Sequence, residues 1–379
     1  MKQELITHQE LFKNAAILDC DHTPETVHFR ERQLAELAFR VRPGLNGFRP
    51  VTTLCRGLPG TGKTACIHHL FTEIEKTTKR LVPVYVNCRT DQTKYQVFST
   101  IYTKLLGHAP PRTGIPARRL MDAIAKVMVD REIILLVCLD DLCHLIHAGT
   151  QTAILSSLTR MYLDYPGCRI GLILTMSDQD TDLADLIEGS VYSGLLPEEI
   201  FFPPYSGDEI RTILSDRVKG AIRPDALSPE MLDLIVSETQ KGADIRIGLA
   251  LLQRSLLSAD RAGRRSVERE DIVSSSGDAR LLRLRETIRI LSAKERRILP
   301  IIATLPERPV PTSGQVYAIV RDREEISYTT FYERLKTLAH LGLLELSIRQ
   351  RKGRTSEIRL RYEADEVMGI CAGMEEERG

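Results

Sequence analysis

The stretch Gly57-Leu-Pro-Gly-Thr-Gly-Lys-Thr64, GLPGTGKT, matches the phosphate-binding pattern G-x-x-x-x-G-K-[ST]. Its glycines let main-chain N–H groups close around phosphates at the start of a helix. In that arrangement Lys63 reaches the β- and γ-phosphates and Thr64 offers its hydroxyl to Mg2+. An ordinary glycine turn can match eight residues by chance, so the flanks decide. Residues 52–56 read as a short strand, and ACIHHLFTEIEK, from Ala65 to Lys76, reads as a helix. Strand, glycine loop and helix together are what the motif requires. Gly57, Leu58, Pro59, Gly60, Thr61, Gly62, Lys63, Thr64 and Ala65 are therefore the expected nucleotide loop.

Some 75 residues further on, LVCLDDLCHL (Leu136 to Leu145) is an apolar run that ends in two aspartates. A carboxylate at the tip of a buried strand is costly unless something there wants negative charge. Asp140 is placed to hold the water shell of Mg2+, which offsets its burial. Asp141 has two readings: an N-cap for the helix that follows, or a poorly placed catalytic group that orients the attacking water. Cys138, Cys143, His144 and His147 lack recognised zinc-ligand spacing and aim in different directions, so no metal other than Mg2+ is expected.

Outward from these motifs, LVPVYVNC and RIGLILTMS read as further strands, with helices at residues 95–107, 118–129 and 154–165. Alternating strands and helices imply an α/β fold with a parallel sheet covered on both faces. Phe202-Pro203-Pro204 ends that pattern, and the chain is then helical to about Val273. From Leu281 three helices precede two strand-like runs around Lys352-Gly353-Arg354, the order of a winged helix with basic residues at the hairpin turn. The expected domains are a phosphate-loop base (1–202), a helical lid (203–278), a winged helix (279–362) and a loose acidic tail (363–379).

The chain of 379 residues is 42% hydrophobic and 27% charged, which places it with globular proteins rather than disordered ones. No apolar run approaches the roughly 20 residues of a membrane helix, and MKQELITHQELFKN has no signal-peptide core. Eight cysteines without a C-x-x-C pair read as reduced intracellular thiols, making the cytoplasm the expected compartment. Overall charge is near balance, but residues 280–361 carry eighteen Lys and Arg against nine Asp and Glu. A basic module on a near-neutral one suits a polyanion partner, although a solvated basic face has the same composition.

Taken together, HFRERQ, RPGLNGFRP, GLPGTGKT, VPVYVNCRT, VCLDD, EEIFFPPYSGDEIRTIL, GADIRIGLALLQRS, SGQVYAIV and KGRTSEIRL resemble the archaeal origin recognition complex/cell division control family of AAA+ replication initiators. They keep the family's order over roughly residues 25 to 361. The resemblance implies an AAA+ base, an α-helical lid and a C-terminal winged-helix domain that binds double-stranded origin DNA. It also implies bound ATP or ADP with Mg2+, and work with a replicative helicase and paralogous initiator subunits. By the same pattern Arg30 lies near the adenine, Tyr205 belongs to the nucleotide site and Arg246 is the lid arginine that reports nucleotide state. Tyr328, Thr329, Thr330 and Arg334 would read DNA, with Arg351, Lys352 and Arg354 of the wing on phosphates.

Three departures from the family pattern fall on the hydrolytic side: Asp141 where Glu is usual, Asp178 where Asn is usual, and Ser190 where an arginine finger is usual. An Asp carboxylate falls about 1–1.5 Å short of a Glu one, and about 1 Å of misplacement can cost a hundredfold. A finger arginine is worth about 10³–10⁵ in rate in well-studied NTPases. The expectation is a nucleotide-binding, DNA-binding initiator with little turnover. Two other readings compete: an ATPase completed by an arginine from another subunit, and a regulator whose winged helix binds promoter DNA or protein.

Overall fold

The computed structural model describes residues 11–22, 24, 26–111, 116–177, 182–306, 308–350 and 354–376. The chain forms two compact units, Met1–Ile272 and Val273–Gly379.

In the first unit the strands are β1 (Thr53–Arg56), β2 (Leu81–Asn87), β3 (Ile134–Asp140), β4 (Arg169–Met176) and β5 (Glu198–Phe201). They form one parallel sheet in the order β2-β3-β4-β1-β5. The intervening helices are α1 (Glu31–Leu45), α2 (Lys63–Thr77), α3 (Lys94–Leu106), α4 (Ala117–Asp130), α5 (Cys143–Ala148), α6 (Gln151–Thr159), α7 (Met161–Asp164), α8 (Leu183–Leu186) and α9 (Gly189–Leu195). All seven residues of β3 are buried, as a central strand covered on both faces must be. Alternation sorts them: Leu135, Val137 and Leu139 enter the core with Val97, Ile101 and Ile124 of α3 and α4. Ile134, Leu136 and Cys138 enter the opposite core with Ile67, Leu70 and Phe71 of α2.

After β5 come α10 (Gly207–Ala221), α11 (Pro229–Gly242) and α12 (Ile245–Arg261), packed in sequence as a small bundle. Ser206 starts α10 with a capping box to Glu209, and Ser228 caps α11 with Pro229 in its first turn. Helix α13 (Arg269–Ile290) runs through the 278/279 boundary expected from the sequence.

The second unit holds α14 (Ala293–Ala303), α15 (Ser313–Arg321), α16 (Tyr328–His340) and the antiparallel hairpin β6 (Leu344–Gln350) and β7 (Arg354–Leu360). Phe331, Leu335 and Leu338 of α16 share its core with Ile298 and Leu299 of α14 and Val316 of α15. This is a winged helix. The acidic end is not loose as expected: Ala364–Glu376 forms α17 against α14, with Val367 and Ile370 in the core. Apolar residues at 367, 370 and 371 have helical spacing that the surrounding glutamates hide from a composition count.

Candidate nucleotide-binding site

The site lies at the carboxyl ends of the strands, where β1 stands between β4 and β5 and the loop after it enters α2. Gly62 is left-handed at the N-cap of α2, and a Cβ there would come within 2.5 Å of the Tyr205 hydroxyl. Gly60 is also left-handed (φ 74°), and a Cβ there would overlap the Asp244 carboxylate. Both glycines are needed because the segment that leads into the bundle, and the start of α12, close directly onto the loop.

Lys63 is buried and turns back on its own loop, with Nζ donating to the carbonyls of Gly57 (2.7 Å) and Leu58 (2.9 Å). Burial pushes its pKa below the ordinary lysine value, more than the Asp141 and Asp140 carboxylates hold it up. A phosphate in the loop would supply the missing counter-charge.

Alternation along the sheet builds the metal side. Asp140 continues the parity of Leu136 and Cys138 and so faces α2. Tyr85 on β2 and Thr175 on β4 share that face, each in phase with a residue of the same core, Leu81 and Ile173. Thr175 Oγ1 donates to Asp140 Oδ1 at 2.6 Å, while Tyr85 and Thr64 donate to Oδ2 at 2.6 and 3.0 Å. The Thr64 hydroxyl spends its proton on Asp140 Oδ2 and keeps its lone pairs for an ion, so Thr64 suits a Mg2+ ligand with the Asp140 carboxylate beside it for the water shell of the ion.

Asp141 has left-handed backbone (φ 58°), a conformation Asp tolerates better than most residues. Its amide donates to Thr175 Oγ1, and its Oδ2 accepts from Arg89 Nε at 2.9 Å. Neither Asp141 nor its carboxylate caps α5, whose N-cap is Leu142 without a side-chain bond. The capping reading is corrected: the positive φ turns the carboxylate away from the helix that follows. Asp178 lies outside the described residues. Ser190, exposed in α9, bonds to Glu188 Oε1 at 2.9 Å.

Arg30 is 2% exposed. Its guanidinium donates to the carbonyls of Thr61 (2.9 Å), Phe29 (2.8 Å) and Pro203 (2.6 Å) and lies 3.8 Å from the centre of the Tyr205 ring. It thus joins the nucleotide loop to the segment that leads into the bundle. Arg246 pairs with Asp244 through Nη2 to Oδ2 at 2.6 Å and Nε to both carboxylate oxygens. Burial alone would lower the Arg246 pKa, but the Asp244 carboxylate outweighs it and the value is raised. Asp244 also caps α12 through the Arg246 amide at 3.0 Å, so one carboxylate starts the helix, orients the arginine and touches Gly60.

In the second unit, Ser327 caps α16 with its hydroxyl on the Thr330 amide, and Thr330 Oγ1 lies 2.9 Å from Ser327 Oγ. Tyr328 and Thr329 are exposed in the first turn. Arg334 Nη1 donates to Glu295 Oε1 at 2.9 Å, a carboxylate that is 0% exposed and caps α14. That arginine is held inside its own unit. Arg351 and Lys352 lie outside the described residues, as does the Arg354 side chain.

Reasoning from the sequence did not find Tyr85, Thr175, Arg89 or Asp244. Asp244 carried a local signal, an Asp directly before the helical run IRIGLALLQRS. The other three become site residues only through the order of the strands.

A phosphate loop after β1, an aspartate at the tip of β3 and a helical bundle closed onto the loop define an AAA+ nucleotide-binding protein. The AAA domain family model matches residues 50–182, and that of the Cdc6 AAA+ ATPase-type lid domain matches 211–280. ORC1-type DNA replication protein 2 of Methanosarcina mazei is 38% identical over 96% of this chain and 97% of its own. ORC1-type DNA replication protein 6 of Halobacterium salinarum is 32% identical over 95% and 96%. The chain belongs to the family of ORC1-type DNA replication proteins. The Aeropyrum pernix ORC1 protein, solved in complex with DNA, has a TM-score of 0.69 at 25% identity over 96% of this chain and 97% of its own. The Aeropyrum pernix ORC2 protein in ADPNP-ADP complexes has a TM-score of 0.70 at 20% identity, over 97% and 99%, which speaks to the fold alone. Among the described residues no helix is long and apolar enough to cross a membrane.

Proposed function

We propose that this protein is a DNA-binding replication initiator of the origin-recognition, helicase-loading type, in which nucleotide sets conformation and hydrolysis is residual. The observation that carries the reading is the contrast between two halves of one site. On the binding side the loop, Lys63, Thr64, Asp140 and the Asp244–Arg246 pair stand in contact around one cleft. On the hydrolytic side the Asp141 carboxylate is engaged by Arg89.

The loop amides and Lys63 would bind the phosphates, with Lys63 exchanging two carbonyls for phosphate oxygens. Thr64 and Asp140 would hold Mg2+, which neutralises phosphate charge when bound. Arg246, in the first turn of α12, would add its charge at the outer phosphate, with Asp244 holding its guanidinium at the start of that helix. Arg30 and Tyr205 would order the segment between base and bundle beside the base of the nucleotide. Duplex DNA would meet the first turn of α16 and the wing, with Tyr328 and Thr329 toward the bases and Arg351, Lys352 and Arg354 on phosphates. A replicative helicase and paralogous initiators are the expected protein partners.

The test is binding of labelled origin-like and random duplexes at matched salt, with ATP, with ADP and without nucleotide. Preference for origin-like duplex that changes with the nucleotide supports the reading. Equal affinity for both duplexes in all three states would refute it.

A further inference from the structure

The Asp140 carboxylate is gripped from both neighbouring strands. Thr175 of β4 occupies Oδ1 and Tyr85 of β2 occupies Oδ2, each at 2.6 Å, and β2 and β4 flank β3 in the sheet. Thr64 adds a third hydroxyl, also on Oδ2 and at the longer distance of 3.0 Å. The three donors are not equivalent. A metal ion would draw on the lone pairs of Thr64, whereas Tyr85 and Thr175 stand on β-strands and keep their donors on the carboxylate. With one donor on each oxygen, rotation of the carboxylate about its Cβ–Cγ bond is fixed. Either donor alone restrains that rotation less tightly.

Tyr85 is itself well fixed. Its ring lies 4.5 Å from that of His68 on α2, so the phenol is aimed by packing from the helix that also carries Thr64.

We propose that Tyr85 is a positioning residue for the metal-holding carboxylate: with Thr175 it sets the rotation of Asp140 so that Oδ2 faces Thr64 before Mg2+ arrives. The inference rests on reading this cleft as a Mg2+–nucleotide site. Its simpler competitor is a core tyrosine whose hydroxyl has found the nearest acceptor, and the two differ in what Mg2+ does.

The test uses the full chain and a fluorescent N-methylanthraniloyl ATP, titrated with Mg2+ after a measurement in EDTA. Tyr85→Phe keeps the ring and removes the donor. We expect its metal-free affinity to stay within about twofold of wild type, while the Mg2+ midpoint for tightening rises about tenfold, the scale of one hydrogen bond to a charged group. Thr175→Val should shift the midpoint the same way and Thr175→Ser should return it, which keeps the inference testable if Tyr85→Phe does not fold. An unchanged midpoint in Tyr85→Phe, or an equal loss of affinity with and without Mg2+, would overturn the positioning role. Failure of wild type to bind nucleotide in either condition would instead overturn the reading of the cleft.

Discussion

Arg89 Nε and Asp141 Oδ2 lie 2.9 Å apart, joining the end of β2 to the residue just beyond β3. The pair is partly exposed and so contributes little to stability, and it engages one oxygen of the carboxylate to which we assign at most a weak water-orienting role. ATP turnover by the protein alone should be at or below about 10⁻³–10⁻² s⁻¹, the scale of unassisted switch NTPases. Asp141→Glu alone should recover little. Combined with Asp178→Asn it should exceed the sum of the singles, because groups acting on one transition state are strongly non-additive. Single-turnover hydrolysis of radiolabelled ATP, with and without DNA, measures this. Robust wild-type turnover that Asp141→Ala abolishes would show that the shorter carboxylate reaches its water.

Lys63 should be indispensable for nucleotide binding. Without phosphate its ammonium rests on two carbonyls of its own loop, and burial already works against its charge. A ligand at about 100 times its Kd stabilises by about 2.7 kcal/mol. ATP with Mg2+ should therefore raise the melting temperature of wild type by a few degrees and leave Lys63→Ala unchanged. Equal shifts in the two proteins would contradict this role.

The winged helix should separate structural from DNA-reading residues. Arg334→Ala removes the charged partner of the buried Glu295 carboxylate, leaving it the Ser292 amide, and breaking a fully buried pair costs about 3–5 kcal/mol. Arg334 is 30% exposed, so a loss of about 2 kcal/mol is expected in urea unfolding of the full chain. Thr329→Ala should leave stability unchanged and weaken binding to origin-like duplex. Reversal of these two phenotypes would return Arg334 to the DNA interface.

Acid should weaken the start of α13 through Asp271. Arg264 binds both its oxygens at 2.7 and 2.8 Å, Ser258 donates at 2.6 Å and the Glu268 amide at 2.9 Å. Burial alone would raise the Asp271 pKa, but these donors together lower it below the ordinary 3.8. A lowered carboxyl contributes stability above its unfolded pKa and loses it as pH falls through the folded value. Asp271→Asn should thus be less stable than wild type at pH 7, with the gap closing as the pH drops below about 4. A gap that stays constant down to pH 2 would show that the ionised form contributes nothing.

What the sequence made legible was short-range. The glycine loop lies between a strand and a helix, and β3 shows an unbroken apolar run ending in Asp140, so both motifs could be placed without coordinates. The partners of Asp140 could not, because Tyr85, Asp140 and Thr175 become neighbours only when β2 and β4 pair on either side of β3. The helical nature of residues 364–376 was obscured for another reason. Val367 and Ile370 are few among acidic residues, and two anchors decide such a helix when α14 offers them a surface. Arg334 looked outward by its position in α16, since nothing nearby in sequence announces Glu295.

Arg30 reaches two distant segments through main-chain oxygens alone, at Thr61 and Pro203. Every amino acid supplies such an oxygen, so the partner positions can drift in evolution without severing the tie. Within these hydrogen bonds the only side chain is that of Arg30, and the Tyr205 ring is the second side chain at this junction. A lysine there, with one compact ammonium in place of a planar fork, could not span both carbonyls and the Tyr205 ring at once.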